Sequence, residues 1–145
     1  MTPVAILMAE DDKEDQLLAN LALKRSKLTN PFLCVDNGQK CIDYLNRLSP
    51  YDDLEKYPDP GLIILDLNMP VKDGMSTLKE IKSSDKFNHI PVIILTTSNE
   101  EEEVIKGYNE GADSFITKPL SLNKLITIME ELGNYWFSIV EQHHE

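Results

Sequence analysis

Five short apolar runs recur along the 145-residue chain, and each is followed by a longer segment with helical spacing. The first, Val4–Ala9, contains no polar residue, and such a run is typical of a strand buried on both faces of a parallel sheet. The others are Phe32–Val35, Leu62–Leu65, Pro91–Leu95 and Ser114–Thr117. Strands that alternate with helices predict an α/β domain whose parallel strands are joined by right-handed crossovers.

The segments between these runs carry apolar side chains near helical spacing, which predicts amphipathic helices. The predicted apolar positions are Leu17, Leu18, Leu21 and Leu28 in the first helix, Ile42, Leu45 and Leu48 in the second, Met75, Leu78 and Ile81 in the third, and Val104, Ile105 and Tyr108 in the fourth. Asp12 is predicted to cap the first helix, and Ser98 and Glu101 have the capping-box spacing that opens the fourth. The last helix is expected to start near Ser121.

The formal net charge of −11 is the compositional feature that most limits the partners of this chain. Nucleic acids and anionic membranes are polyanions, so we expect neither as a partner. A length of 145 residues fits a single domain over residues 1–145. Without a signal-like N-terminus or a long apolar stretch, the chain is expected to be cytoplasmic. Cys34 and Cys41 form no metal or redox motif, and Cys34 is expected to be a small buried side chain.

Polar side chains follow four of the predicted strands at their carboxyl ends. Glu10 and Asp11 come after the first strand, and Asp66 comes at the end of the third. Thr96 follows the fourth strand and Lys118 the fifth. Ligands of open α/β sheets bind outside the carboxyl ends of the strands. If these strands are neighbours, the side chains surround one crevice, which is an acidic pocket with a single lysine.

Electrostatic repulsion within this pocket predicts a bound cation. Two unit charges about 5 Å apart repel by roughly 3 kcal/mol at an effective dielectric constant of ~20, so Glu10, Asp11 and Asp66 need compensation. Lys118 offsets part of the repulsion, and a hard divalent cation such as Mg²⁺ offsets the rest. A carboxylate beside such a cation can act as a nucleophile and form an acyl phosphate. The cation, the lysine and a hydroxyl such as that of Thr96 would then neutralise the phosphoryl oxygens.

These motifs make the sequence resemble the receiver domain of two-component response regulators over nearly the whole chain. The matching elements are Glu10-Asp11, Asp66 with Asn68-Met69-Pro70, Gly74, Thr96 after Pro91–Leu95, and Phe115-Ile116-Thr117-Lys118-Pro119. The resemblance implies a flavodoxin-like, doubly wound sheet of five parallel strands in the order 2-1-3-4-5, with helices on both faces. It also implies a signalling module that catalyses only its own aspartyl phosphorylation and dephosphorylation.

The resemblance assigns a role to each acidic residue of the pocket. Asp66 resembles the phosphoacceptor, the carboxylate that receives a phosphoryl group from a histidine kinase, and it is also expected to contact the metal. Asp11 is similar to the direct Mg²⁺ ligand, and Glu10 to the acidic residue that acts on the ion through water. The backbone carbonyl of Asn68 is expected to complete the metal shell. These roles imply Mg²⁺ as the cofactor of a His-Asp phosphorelay.

Other residues resemble the parts of a receiver domain that sense the phosphoryl group. Lys118 matches the lysine that pairs with this group, Thr96 the switch hydroxyl, and Phe115 the aromatic side chain that turns inward on activation. The Lys118–Pro119 peptide bond is expected to be cis, as in the family. Thr97 departs from the family, which usually has a very small residue there, and its bulk is expected to narrow access to the site.

Two segments extend beyond a minimal receiver domain. One is the polar loop Ser49–Gly61, and the other is a final helix expected over about residues 121–140. The apolar stripe of that helix consists of Leu122, Leu125, Met129, Leu132, Trp136 and Ile139. The stripe either packs on the domain or forms a surface for a partner or a homodimer, and the sequence leaves both open. Both segments are similar to those of small regulators paired with phytochrome-type histidine kinases, which implies such a kinase as partner.

A length of 145 residues leaves no room for a DNA-binding effector domain, so the output is expected to be contact with a downstream protein. Three other functions fit parts of the pattern. A haloacid-dehalogenase-type phosphatase would have a second Asp where this chain has Asn68. A flavodoxin-like FMN carrier would need a phosphate loop after the first strand, where Glu10-Asp11-Asp12 would repel phosphate. A non-phosphorylated interaction module is the third alternative, and the complete acceptor site disfavours it.

Overall fold

A computed structural model describes residues 5–26, 28–97 and 106–131, and it confirms the predicted sheet of five parallel strands. The strands are β1 (Ala5–Ala9), β2 (Phe32–Val35), β3 (Pro60–Asp66), β4 (Val92–Thr96) and β5 (Ser114–Thr117). They pair in the order β2-β1-β3-β4-β5, and every pair is parallel. The chain order therefore reverses between β1 and β3, and this is the place where open α/β sheets bind ligands.

Helices connect the strands, and the first three begin at polar caps. The helices are α1 (Lys13–Arg25), α2 (Gly38–Leu45), α3 (Gly74–Lys82), residues 106–109 (α4) and residues 122–131 (α5). The side chains of Asp12, Asn37 and Asp73 accept backbone N–H groups in the first turns of α1, α2 and α3. The predicted cap at Asp12 is thus confirmed, whereas Ser98 and Glu101 lie outside the described residues. None of the described helices has the length and apolar character needed to cross a membrane.

The sheet separates two apolar cores, because successive strand residues point to opposite faces. Ile63 and Leu65 of β3 pack with residues of α2 and α3 on one face. Leu62 and Ile64 pack on the other face with residues of α1 and α5. The strands are therefore covered on both sides, which explains why their sequences are continuous apolar runs and not alternating ones.

The apolar face predicted for α1 is partly wrong. Leu17 and Leu21 are exposed, with 61% and 37% of their surface accessible, while Ala19, Ala22 and Leu23 face the sheet. The other two predicted residues, Leu18 and Leu28, do pack against the core of that face. The two alanines allow the helix to lie close to the sheet, and three- and four-residue spacing continues the same face.

The prediction that Cys34 is buried is also wrong, because this residue is exposed. β2 pairs only with β1 and forms one edge of the sheet. An edge strand has a neighbour on one side only, so a residue in it can reach solvent even within an apolar run. Cys41, in contrast, is buried in α2.

The segment between α2 and β3 is organised by three tyrosines, one at the end of α2 and two in the segment that was predicted to be a polar loop. The ring centroids of Tyr44, Tyr51 and Tyr57 lie 5.1–5.7 Å apart. The Tyr44 hydroxyl donates to the Pro58 carbonyl at 2.6 Å, and burial raises the pKa of this tyrosine to about 12. Arg47 donates to the Tyr57 carbonyl and to Asp59. The segment is therefore polar in composition but anchored by aromatic packing.

The turn between β3 and α3 places a β-branched residue in an unfavourable backbone conformation. Val71 has φ = 69° and 81% of its surface is accessible. The Lys72 N–H donates to the Pro70 carbonyl across it at 2.8 Å, which closes a three-residue γ-turn of the rare, strained form. The neighbouring backbone holds this turn in place, since the Gly38 N–H donates to the Lys72 carbonyl at 3.1 Å. Val71 is thus strained without a buried contact to offset it.

We expect the substitution Val71→Gly to stabilise the fold. Removing the Cβ removes a conformational strain of about 1–2 kcal/mol at positive φ. Glycine also makes the unfolded chain more flexible, which lowers the free energy of unfolding by about 0.5–1 kcal/mol. The free energy of unfolding, measured by urea denaturation, should therefore rise by about 0.5–1 kcal/mol. Val71→Ala is the matched control, because it shortens the side chain but keeps the Cβ. Equal effects of the two substitutions would contradict this explanation.

Candidate functional site

The parallel sheet brings the polar strand ends into one crevice. Glu10 follows β1, Asp66 is the last residue of β3, and Lys118 follows β5. The Lys118 ammonium contacts the Glu10 carboxylate, and its nitrogen lies 3.2 Å from Oδ2 of Asp66. Strand register explains why these side chains lie close together, because Ala9 pairs with Leu65, and Asp66 pairs with Leu95. The three side chains are separated by 52 or more residues in sequence but share one edge of the sheet.

Glu10 is fully buried at the floor of the crevice. Its Oε2 accepts the Asp12 N–H at 3.2 Å, and its backbone carbonyl accepts a hydrogen bond from the Gln16 amide. Burial is the largest influence on this carboxyl, and together with the neighbouring Asp66 it raises the pKa of Glu10 to about 8, although Lys118 opposes the shift. Glu10 therefore loses its proton less readily than an ordinary glutamate when no cation is present.

Asp66 is held at the end of β3 by a turn that needs a glycine. Its Oδ1 accepts the Asn68 N–H at 3.2 Å, and 5% of its side chain is exposed. A Cβ on Gly74 would lie 2.2 Å from the Asp66 carbonyl oxygen, so any larger residue would push α3 away. The Gly74 N–H also donates to the Leu67 carbonyl at 3.0 Å. The Asp66 carboxylate is therefore buried and fixed in direction.

Lys118 has a third carboxylate partner that the sequence analysis missed. Its ammonium nitrogen lies 3.0 Å from Oδ2 of Asp15, in the first turn of α1. Burial lowers the pKa of Lys118, but the hydrogen bonds to Glu10 and Asp15 and the charge of Asp66 outweigh it and raise the pKa overall. The lysine is thus a permanent positive charge, with only 11% of its side chain exposed. Its Lys118–Pro119 peptide bond is cis, as predicted.

The donor set suits a hard divalent cation. One carboxylate oxygen from each of Glu10, Asp11 and Asp66 lies within 4.8 Å of the others. Glu10 and Asp66 are buried and Asp11 is exposed, so the group opens towards solvent. All these ligands are oxygens, which small divalent cations prefer. The role of the Asn68 carbonyl as a further ligand stays a prediction.

Thr96 ends β4 at the crevice, and Phe115 lies on β5. Thr96 is buried, and its carbonyl accepts the Lys118 N–H at 2.8 Å. The Phe115 ring is partly buried against α4, where a Cβ on Gly107 would lie 2.2 Å from the ring. The centroid of the Tyr108 ring is 4.9 Å from that of Phe115. The structure therefore places Thr96 at the crevice and Phe115 against α4, and their switching roles stay predictions.

Comparison with known proteins assigns the chain to a family. Residues 6–130 match the family described as response regulator receiver domain. Response regulator Rcp1 of Synechocystis sp. is 35% identical over 138 residues, which cover 95% of this chain and 92% of Rcp1. These matches extend over the strands and helices that build the crevice.

Two solved structures have the same fold and cover almost the same length. One is the phosphorylated cyanobacterial phytochrome response regulator RcpA, with a TM-score of 0.82 and 34% identity over 94% of this chain and 96% of that chain. The other is the Mn²⁺-bound form of Rcp1, with a TM-score of 0.79 and 35% identity over 92% of this chain and 94% of that chain. By sequence, fold and the acidic crevice with its lysine, this chain belongs to the response regulator receiver domain family of two-component signalling.

Proposed function

We propose that the chain is a phosphoacceptor in a His-Asp phosphorelay and that Asp66 is the residue that becomes phosphorylated. The observation that carries the proposal is the position of the Asp66 carboxylate, which lies in the crevice between Lys118 and two further carboxylates. Glu10 and Asp11 are the proposed metal residues, with Glu10 acting through water, and the Asn68 carbonyl completes the shell. The proposed ion is Mg²⁺, which suits oxygen ligands and a phosphoryl group.

The proposed reaction transfers a phosphoryl group from a phosphohistidine of the kinase to Asp66. The P–N bond to histidine breaks, a P–O bond to the Asp66 carboxylate forms, and the released imidazole nitrogen takes a proton from water. Mg²⁺ supplies positive charge against the phosphoryl oxygens. Lys118 pairs with one of these oxygens, and the Thr96 hydroxyl donates a hydrogen bond to another. Hydrolysis at the same centre would return Asp66 to its carboxylate form.

The proposed output is a change in protein–protein contacts. A phosphoryl group adds about 1.5–2 negative charges. The first residues to contact it would be Lys118 and Thr96. Phe115 lies on β5, three residues before Lys118, so a shift at the site could reach the surface formed by β5 and α4. The net charge of −11 supports a protein partner and disfavours nucleic acids and anionic membranes.

Similarity to phytochrome response regulators supports a phytochrome-type histidine kinase as the donor. Rcp1 and RcpA are both about one third identical to this chain over more than nine tenths of its length. A histidine kinase makes its phosphohistidine from ATP, so we also infer that the chain works in the cytoplasm.

We expect Asp66 to be phosphorylated when the protein is incubated with Mg²⁺ and acetyl phosphate. Intact-protein mass spectrometry should show the addition of one phosphoryl group, and EDTA should prevent it because the metal residues would lose their ion. Asp66→Asn should remove the modification, since an amide is a poor nucleophile. Asp85→Asn is the control, because it removes an exposed carboxylate elsewhere in the chain and should be modified like the wild type. Continued labelling of Asp66→Asn would exclude Asp66 as the acceptor, and an unlabelled wild type would favour the non-phosphorylated interaction module.

Metal binding should depend on pH through Glu10. The raised pKa of about 8 means that this carboxyl is mostly protonated below that pH, and a cation favours the ionised form. Binding therefore releases a proton, and the affinity for Mn²⁺, measured by electron paramagnetic resonance, should weaken by up to roughly tenfold for each pH unit below 8. Glu10→Gln has no proton to release, so its weaker affinity should be nearly independent of pH over this range. A wild-type affinity that is the same at pH 6.5 and pH 8 would contradict the prediction.

We also propose that the C-terminal apolar stripe supports self-association. In the described part of the stripe, Leu125 and Met129 are buried against the sheet, so this half already packs on the domain. Leu132, Trp136 and Ile139 lie outside the described residues and continue the same spacing. Sedimentation velocity of the wild type should show a dimer at high concentration, and Trp136→Ala should weaken it. The same monomer mass for both proteins would exclude this role.

A further inference from the structure

Asp15 is a carboxylate at the site that has no part in the proposed reaction. It lies in the first turn of α1, on the helix face that continues to Ala19 and the sheet. Its Oδ2 is 3.0 Å from the Lys118 nitrogen, and 20% of its side chain is exposed. The group of carboxylate oxygens that lie within 4.8 Å of one another does not include it. Asp15 therefore contacts the lysine without belonging to the donor set for a cation.

In this arrangement the carboxylates of the crevice would interact with two positive groups, the Lys118 ammonium and a bound divalent cation. The Lys118 ammonium has three hydrogens, and its three partners are Glu10, Asp66 and Asp15. A divalent cation would draw on Glu10 and Asp66 and would repel the ammonium group beside them. Asp15 is the partner of the lysine that the cation would not contact. Its negative charge is thus placed where it can keep the lysine in the crevice when the ion binds.

We propose that Asp15 is a positioning residue, a counter-ion that holds the Lys118 ammonium at the site against repulsion by a bound divalent cation. The proposal rests on the function proposed above, because Lys118 matters there as the partner of the phosphoryl oxygens. Among the partners of Lys118, Asp15 has the most exposed side chain, so it is also the partner that gives up its contact most easily when a phosphoryl oxygen arrives.

The first test observes the lysine itself and does not depend on phosphorylation. The ammonium ¹H–¹⁵N signal of Lys118, assigned by its absence in Lys118→Gln, reports whether the group is held by hydrogen bonds. In the wild type the signal should remain when Mg²⁺ is added. In Asp15→Asn it should broaden or vanish on adding Mg²⁺, and Asp15→Glu should restore it in part. A signal that survives Mg²⁺ in Asp15→Asn would overturn the proposal.

The matched control is Glu14→Gln, which removes the same charge from the same turn of α1. Glu14 is exposed, and Lys118 forms its ion pairs with other carboxylates. The control should leave the Lys118 signal as in the wild type, with and without Mg²⁺. Loss of the signal in Glu14→Gln to the same extent as in Asp15→Asn would show a general charge effect and would also overturn the proposal.

The second test measures the rate of labelling by acetyl phosphate at saturating Mg²⁺. We expect Asp15→Asn to be about 5-fold slower than the wild type and Glu14→Gln to differ by less than about 2-fold. In a Lys118→Ala background, Asp15→Asn should have no further effect, because its partner is gone. An unlabelled wild type with the expected ammonium signals would reject the proposed function and keep the role of Asp15. A labelled wild type with equal rates and signals for both variants would reject only the role of Asp15.

Discussion

The ion pairs of one lysine hold the functional end of this molecule together. Lys118 follows the last strand, and its ammonium contacts three carboxylates, which lie just after β1, at the end of β3 and in α1. A nearly buried charge is unfavourable without partners, and so is a buried pair of carboxylates. The lysine and the carboxylates therefore stabilise each other, and the strand order β2-β1-β3-β4-β5 brings them together.

Close backbone approaches allow these charges to come together. At Gly74 the first turn of α3 lies against the Asp66 carbonyl, and at Gly38 a Cβ would lie 2.5 Å from the Lys72 carbonyl oxygen. α2 and α3 are thereby drawn towards the turn that follows Asp66. Gln16 does the same for α1, because its amide donates to the Glu10 carbonyl. The geometry of the carboxylates thus depends on backbone contacts and a hydrogen bond that take no part in the proposed reaction.

The sequence predicted the sheet and the meeting of Glu10, Asp66 and Lys118, because continuous apolar runs and the polar residues at their ends follow a simple rule for parallel strands. It failed for part of the face of α1, because Leu17 and Leu21 were predicted to be buried and the sheet is contacted instead by Ala19 and Ala22. The missed residue at the site has the same cause. Asp15 lies one turn before Ala19 on the same face of α1. A prediction that placed the alanines on the buried face would therefore have identified Asp15 as a site residue.

Charge balance links the state of the site to the ion in it. The crevice holds Glu10, Asp11, Asp15 and Asp66 with one lysine, so a phosphoryl group on Asp66 would add negative charge to a region that already has an excess. A bound cation would offset that excess, and it would in turn repel Lys118. Under the proposed function the lysine would exchange partners when the phosphoryl group arrives, and its backbone N–H is bonded to Thr96 while β5 connects it to Phe115. A change in charge at one carboxylate thus has a direct mechanical route to the surface formed by β5 and α4.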